Sequence, residues 1–188
     1  MNRGADVCSP IWTVRLYAIP FEPADQEGSL LSAVSAATLA AALLFISFHI
    51  EVWPITTGKM ARVIGVGYHL LMLPSVAALP APQWARAAGF GWMLMDAALN
   101  GAAYAGLDTA TGDAFRQGVH ILSAVWVIAA GWTGGGWLAA AGTLLGVVFL
   151  VRTALAGTNV TPRTWVRYLN AVLNVSWMVS VAVTLWRA

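Results

Sequence analysis

The chain has 188 residues, 59% apolar and 10% charged, with ten Lys and Arg against eight Asp and Glu. Soluble domains are about 25% charged, so this composition excludes an ordinary soluble globule, and its hydrophobicity excludes a disordered chain. The single cysteine, Cys8, excludes a disulfide scaffold, and the absence of any basic run excludes nucleic acid as the expected partner.

What composition leaves is an all-α polytopic membrane protein, a single domain in contact with the lipid bilayer. Residues 1–28 differ from the rest: they hold Arg3, Asp6, Arg15, Glu22, Asp25 and Glu27 with Pro10, Pro20 and Pro23. The first apolar run begins only at Ser29, too late for a signal peptide. This stretch is expected to be an interfacial tail, anchored by Trp12 and Tyr17. Residues 29–188 are expected to form a bundle of six transmembrane helices, since a span needs about 20 mainly apolar residues.

The spans read as Ser29–Ile50, Met60–Pro80, Trp84–Gly106, Arg116–Thr133, Trp137–Val151 and Trp165–Trp186. Val119 to Val151 carries no charge and would make one helix of about 50 Å, too long for a bilayer. Gly134, Gly135 and Gly136 between Trp132 and Trp137 divide it, which predicts a tight hairpin; a re-entrant half-helix over 134–151 is the alternative. Pro54 is expected to end a helix and Pro74 to kink one. Ala33, Ala36, Ala37, Ala40 and Ala41, with Gly65 and Gly67, offer small faces for close helix approach.

Lys59, Arg62, Arg116, Arg152, Arg163 and Arg167 fall on the odd joints, against Arg3, Arg15, Arg86 and Arg187 on the even joints and tails. The positive-inside rule then places both termini outside, across what is expected to be a bacterial inner (plasma) membrane.

Polar groups inside spans are costly and mark function. The candidate ligand-binding residues are Asp96, His69, Asn100, His120, Asn170 and Asn174. Because consecutive helices alternate in direction, His49, Glu51, Asn100, Tyr104, Arg116, His120, Arg167, Asn170 and Asn174 share one half of the membrane, with His69 and Asp96 nearer its middle. Asp96 and Asn100 are four apart and share a helical face, as do Arg116 with His120 and Asn170 with Asn174. These stripes can converge on one pocket walled by Trp92, Trp126 and Trp177. Each has a plainer explanation. His49, Glu51 and His120 lie near span ends, where polarity is cheap; Asn170 and Asn174 suit interhelical hydrogen bonding; a buried Asp can serve packing alone.

Haem or a metal held by His69 and His120 has little support in spacing: no H-x-x-x-H, H-E-x-x-H or E-x-x-H occurs, and His69 reads one to two turns deeper than His120. There is no G-x-S-x-G and no phosphate-binding glycine loop. The leading expectation is binding, and transport, of a small molecule or proton through a one-sided pocket around Asp96. The alternatives are an enzyme acting on a lipid or isoprenoid with His acid/base groups, and a non-catalytic subunit of a larger membrane complex or a homo-oligomer.

Overall fold

The computed structural model describes residues 24–50, 58–157 and 164–188. They form six helices: α1 (Ala24–Ile50), α2 (Gly58–Ala78), α3 (Gln83–Ala105), α4 (Thr109–Gly134), α5 (Gly136–Gly157) and α6 (Thr164–Trp186). Each helix packs on its neighbours in sequence, and α6 returns to pack on α1, which closes the ring. Cross-links confirm that consecutive helices run antiparallel. Thr38 in the middle of α1 bonds Ser75 near the end of α2, Ser35 donates to the Ala182 carbonyl of α6 at 2.8 Å, and Thr153 near the end of α5 donates to the Gln117 carbonyl in the first half of α4 at 2.9 Å.

Five helices, α1, α2, α4, α5 and α6, are long and apolar enough to cross a membrane. α3 has the length, 23 residues, about 34 Å of helix. It falls short in composition because it carries Arg86, Asp96 and Asn100. The outer face of the ring is apolar, with Leu43, Phe115, Leu144 and Val172 exposed, as lipid contact requires. Exposed aromatics collect at both ends. Trp84, Trp132, Trp137 and Trp186 sit at one, Tyr104, Trp165 and Tyr168 at the other, where amphipathic rings favour the headgroup level.

Several boundaries differ from the sequence expectation. α1 begins at Ala24, inside the stretch assigned to the tail, and its first turn carries Glu27, an acid that suits the positive end of a helix dipole. α4 begins at Thr109 rather than Arg116. The Asp108 carboxylate caps it by accepting the Thr111 amide at 2.8 Å, so Asp113 and Arg116 lie within the helix. α5 runs 22 residues, through Arg152 to Gly157, about 33 Å; a half-helix does not describe it. The hairpin before it forms as expected. Gly135 and Gly136 adopt φ of 71° and 51°, and Trp132 clamps the turn by donating to Thr143 at 2.9 Å. Pro74 lies inside α2, facing outward.

The small-residue stripe on α1 is only partly an interface: Ala41 is buried, whereas Ala33 and Ala36 are exposed. The closest helix approach lies between α4 and α5 instead. A Cβ on Gly142 would strike the Val127 carbonyl and the Trp177 ring, and one on Gly146 would meet Ile128 at 2.5 Å. The expected tail anchors Trp12 and Tyr17, the helix end at Pro54, Glu51, and the side chains of His49 and Arg167 lie outside the described residues.

Candidate functional site

α3 presents Trp92, Asp96 and Asn100 along one inward stripe, all buried. Asp96 gathers partners from three directions. The Trp92 indole N–H, one turn earlier, donates to Oδ2 at 2.8 Å. Arg116 reaches in from α4 and donates through Nε to Oδ1 at 3.2 Å. His69 comes from α2, its Nε2 3.4 Å from Oδ2.

The His69 ring is fixed by its own helix. Nδ1 lies 2.6 Å from the Gly65 carbonyl, an oxygen that only accepts, so Nδ1 carries a hydrogen. Nε2 then faces a carboxylate oxygen, and attraction between them requires one further proton, on the ring or on the carboxyl. The pair is therefore a place to hold a proton. Gly65 makes the arrangement possible twice over: its carbonyl orients His69, and a Cβ there would meet the Asn100 amide group at 2.8 Å.

Arg116 is the link to the surface. Its side chain is 20% exposed, and besides Asp96 it donates through Nη1 to Oδ1 of the exposed Asp113 at 3.2 Å and through Nη2 to Oδ1 of Asn100 at 3.4 Å. All three bonds are long for a charge-assisted contact, which normally runs about 2.7–2.9 Å. Asn100 is held in turn, donating to the Asp96 carbonyl at 2.9 Å.

An aromatic network surrounds this cluster and draws on all six helices. It runs from Phe45 through Tyr68, His69, Trp92 and Trp126 to Trp177, and branches from Trp92 to Phe149. His120 stacks on Phe149 with centroids 5.1 Å apart and lies near enough to feel the charge of Asp96. It sits about three turns into α4, deeper than the sequence suggested, because that helix starts earlier.

Of the six residues expected to line the pocket, all are buried. Asp96, His69 and Asn100 meet in one bonded cluster through Arg116, with His120 beside it. Asn170 and Asn174 lie on the inner face of α6, where Asn174 donates to the Asn170 carbonyl at 2.9 Å. Among the described residues neither bonds Asp96. Also among them, His120 Nδ1, Asn170 Oδ1, Trp126 Nε1 and Trp177 Nε1 are buried in this interior without a hydrogen-bond partner. Beyond Trp126 and Trp177 the interior is mainly apolar, filled by buried Val76, Leu79, Leu138 and Leu185, and its polar groups Ser35, Thr38 and Ser75 are bonded to one another or to backbone. The cluster thus lies in the opposite half of the ring.

Sequence reasoning counted Arg116 only for orientation and stripe, and took Trp92 as an apolar wall. Both are direct partners of Asp96. The i, i+4 spacing of Trp92 and Asp96 was a usable signal, as was the similar distance of Asp96 and Arg116 from the short α3–α4 turn. As for haem or a metal, both ring nitrogens of His69 are already directed at protein groups, and no three His, Cys, Asp or Glu side chains gather as a metal site among the described residues. Comparison with protein-family models, curated proteins and solved structures gives no match.

Proposed function

We propose that this protein is a six-span membrane protein that binds a proton together with a small molecule in the one-sided pocket around Asp96, and that it moves them across the membrane. The observation that carries the reading is the His69–Asp96 pair: Nδ1 is committed to the Gly65 carbonyl, which leaves the 3.4 Å gap between Nε2 and Oδ2 as the position that can accept a proton. Intramembrane carboxylate–histidine pairs beside an arginine are costly to build and suit proton relays. The aromatic belts at both ends of the ring, to which α3 contributes Trp84 and Tyr104, support α3 as the sixth span. Six spans put both termini on one face, and the Lys and Arg distribution favours the outside of a bacterial inner membrane.

The test is proton movement. Proteoliposomes enclosing a pH-sensitive dye should acidify under an imposed gradient, and Asp96→Asn should abolish this while the helical circular dichroism is kept. Unchanged acidification in that variant takes Asp96 out of the mechanism.

A second reading, an enzyme acting on a lipid or isoprenoid, is favoured by one observation: His120 Nδ1 is buried and unbonded, free to exchange a proton with a substrate. A bell-shaped pH–rate profile lost in His120→Gln would support it. Co-purification of a stoichiometric partner after mild solubilisation would favour a complex subunit instead.

A further inference from the structure

The pocket's charge and the hold on Arg116 point to the chemistry of the small molecule. At the depth of the cluster, α3 brings Asp96, α2 brings His69 and Tyr68, α4 brings Arg116 and His120, and α5 brings Arg152 within electrostatic range of His120. α1 and α6 supply neutral described side chains there, Phe45, Asn170 and Asn174. Asp96 and Asp113, the exposed partner of Arg116 on α4, offset Arg116 and Arg152, so the cluster is balanced while the histidines are neutral. One added proton leaves it with an excess positive charge, which a single bound anion restores to balance.

Arg116 is the group placed to take that anion. Its side chain is a fifth exposed, bridging the buried cluster and the exposed Asp113, and its two present acidic partners are both carboxylate oxygens at 3.2 Å. A guanidinium has five N–H donors in a planar fork suited to two-oxygen acceptors. Here it makes three separate long bonds and no paired fork. A free carboxylate arriving from the open end offers a better match than Asp96 does, provided Asp96 gives up its hold.

We propose that Arg116 binds a small monocarboxylate, exchanging Asp96 for the ligand when the His69–Asp96 pair takes up a proton. This rests on the reading that the pocket holds a proton. The step is balanced. One proton from the open side joins the pair, the Arg116 Nε–H bond to Asp96 Oδ1 breaks, and Arg116 closes on the ligand carboxylate, so one proton and one monoanion enter with no net charge. Asn100 keeps the guanidinium in place during the exchange.

The experiment is titration calorimetry of the full chain in lipid nanodiscs with sodium acetate, run in two buffers of different ionisation enthalpy to count protons. Acetate should bind with uptake of one proton, and its affinity should fall about tenfold per unit rise in pH. Arg116→Gln should lose acetate binding, and Arg116→Lys, which keeps the charge and lacks the fork, should weaken it. Asp96→Asn should retain acetate binding but lose both proton uptake and pH dependence. Acetate binding that is unchanged in Arg116→Gln overturns the proposal. So does binding of tetramethylammonium or inorganic phosphate in preference to acetate. No acetate binding by a protein that still moves protons through Asp96 overturns the proposal and leaves the functional reading standing. Absence of Asp96-dependent proton movement as well brings both down.

Discussion

The ion pair between Asp96 and Arg116 can be weighed by a double-mutant cycle of Asp96→Asn and Arg116→Gln. Asp96→Asn keeps the shape of the side chain, Arg116→Gln shortens it, and each removes the charge. Two unit charges at 4 Å attract by about 4 kcal/mol at an effective dielectric near 20. The observed separation is 3.2 Å, but the Arg116 side chain is 20% exposed, shares itself with Asp113, and bonds monodentately. These features reduce the attraction, so the expected coupling is about 1–3 kcal/mol. Asp96→Asn should itself be milder than loss of a fully buried partner, about 3–5 kcal/mol. Arg116 can turn to Asp113, and an Asn side-chain oxygen still accepts from Trp92. Unfolding in mixed micelles, followed by the fluorescence of the tryptophans around the cluster, reads all four corners of the cycle. A coupling under about 0.5 kcal/mol would show that the two charges are bystanders, and the exchange mechanism built on their contact would fall with it.

Packing, helix capping and the sealed end of the ring each give a further test. Gly142→Ala places a methyl against the Val127 carbonyl and the Trp177 ring, so it should destabilise by about 1–3 kcal/mol in the same unfolding assay. Gly67→Ala, whose Cβ would meet Leu44 at an ordinary 3.5 Å, should be nearly neutral. Bonding from Thr111 holds the Asp108 carboxyl below the usual carboxylate range. Its contribution is therefore present above about pH 4 and is lost as pH falls through that lowered value. Hydrogen exchange in the first turn of α4 should accelerate there, and Asp108→Asn, which still caps, should remove the pH dependence. Ser75→Cys, buried in the apolar half, should react with a membrane-impermeant thiol reagent from the Trp84–Trp132 side only during turnover. Reaction that never occurs would argue for binding without transport.

Much of this architecture is written in hydropathy, and what escaped it has a common cause. Charges were read as joints between spans. Asp25 and Glu27 therefore cut α1 short, although acids belong at a helix N-terminus. Asp113 and Arg116 likewise hid the first turns of α4, although Asp108 caps them. The face shared by Asp96 and Asn100 followed directly from their spacing. The partners of Asp96 did not, because they depend on how α2 and α4 are rotated about their axes, and hydropathy fixes that rotation only loosely. The amphipathic nature of Trp92 was also lost by treating it as purely apolar. Its indole N–H is a donor, and burying it beside a carboxylate satisfies both. On α6, burial of Asn170 and Asn174 was legible from the stripe they form with Trp177. The bond from Asn174 back to the Asn170 carbonyl belongs to their own helix and carries no information about a partner across the ring.

The least apolar helix is also the one that defines the site, and the two facts have one origin. An ionised carboxylate in a membrane interior is expensive unless other groups replace its water. α3 recovers that cost through Trp92 on its own stripe, His69 from one neighbouring helix and Arg116 from the other. A purely structural buried carboxylate would be best served by short, saturated bonds. Asp96 has one short bond, to Trp92, and two long ones, to groups that can leave: an imidazole that can release or take a proton, and a guanidinium that already reaches the surface. The short bond fixes the carboxylate in place, and the long bonds are the ones that the proposed proton uptake would exchange. Val76, Leu79, Leu138 and Leu185 fill the opposite part of the ring's interior, so the two long bonds lie to one side of a layer of packed apolar side chains.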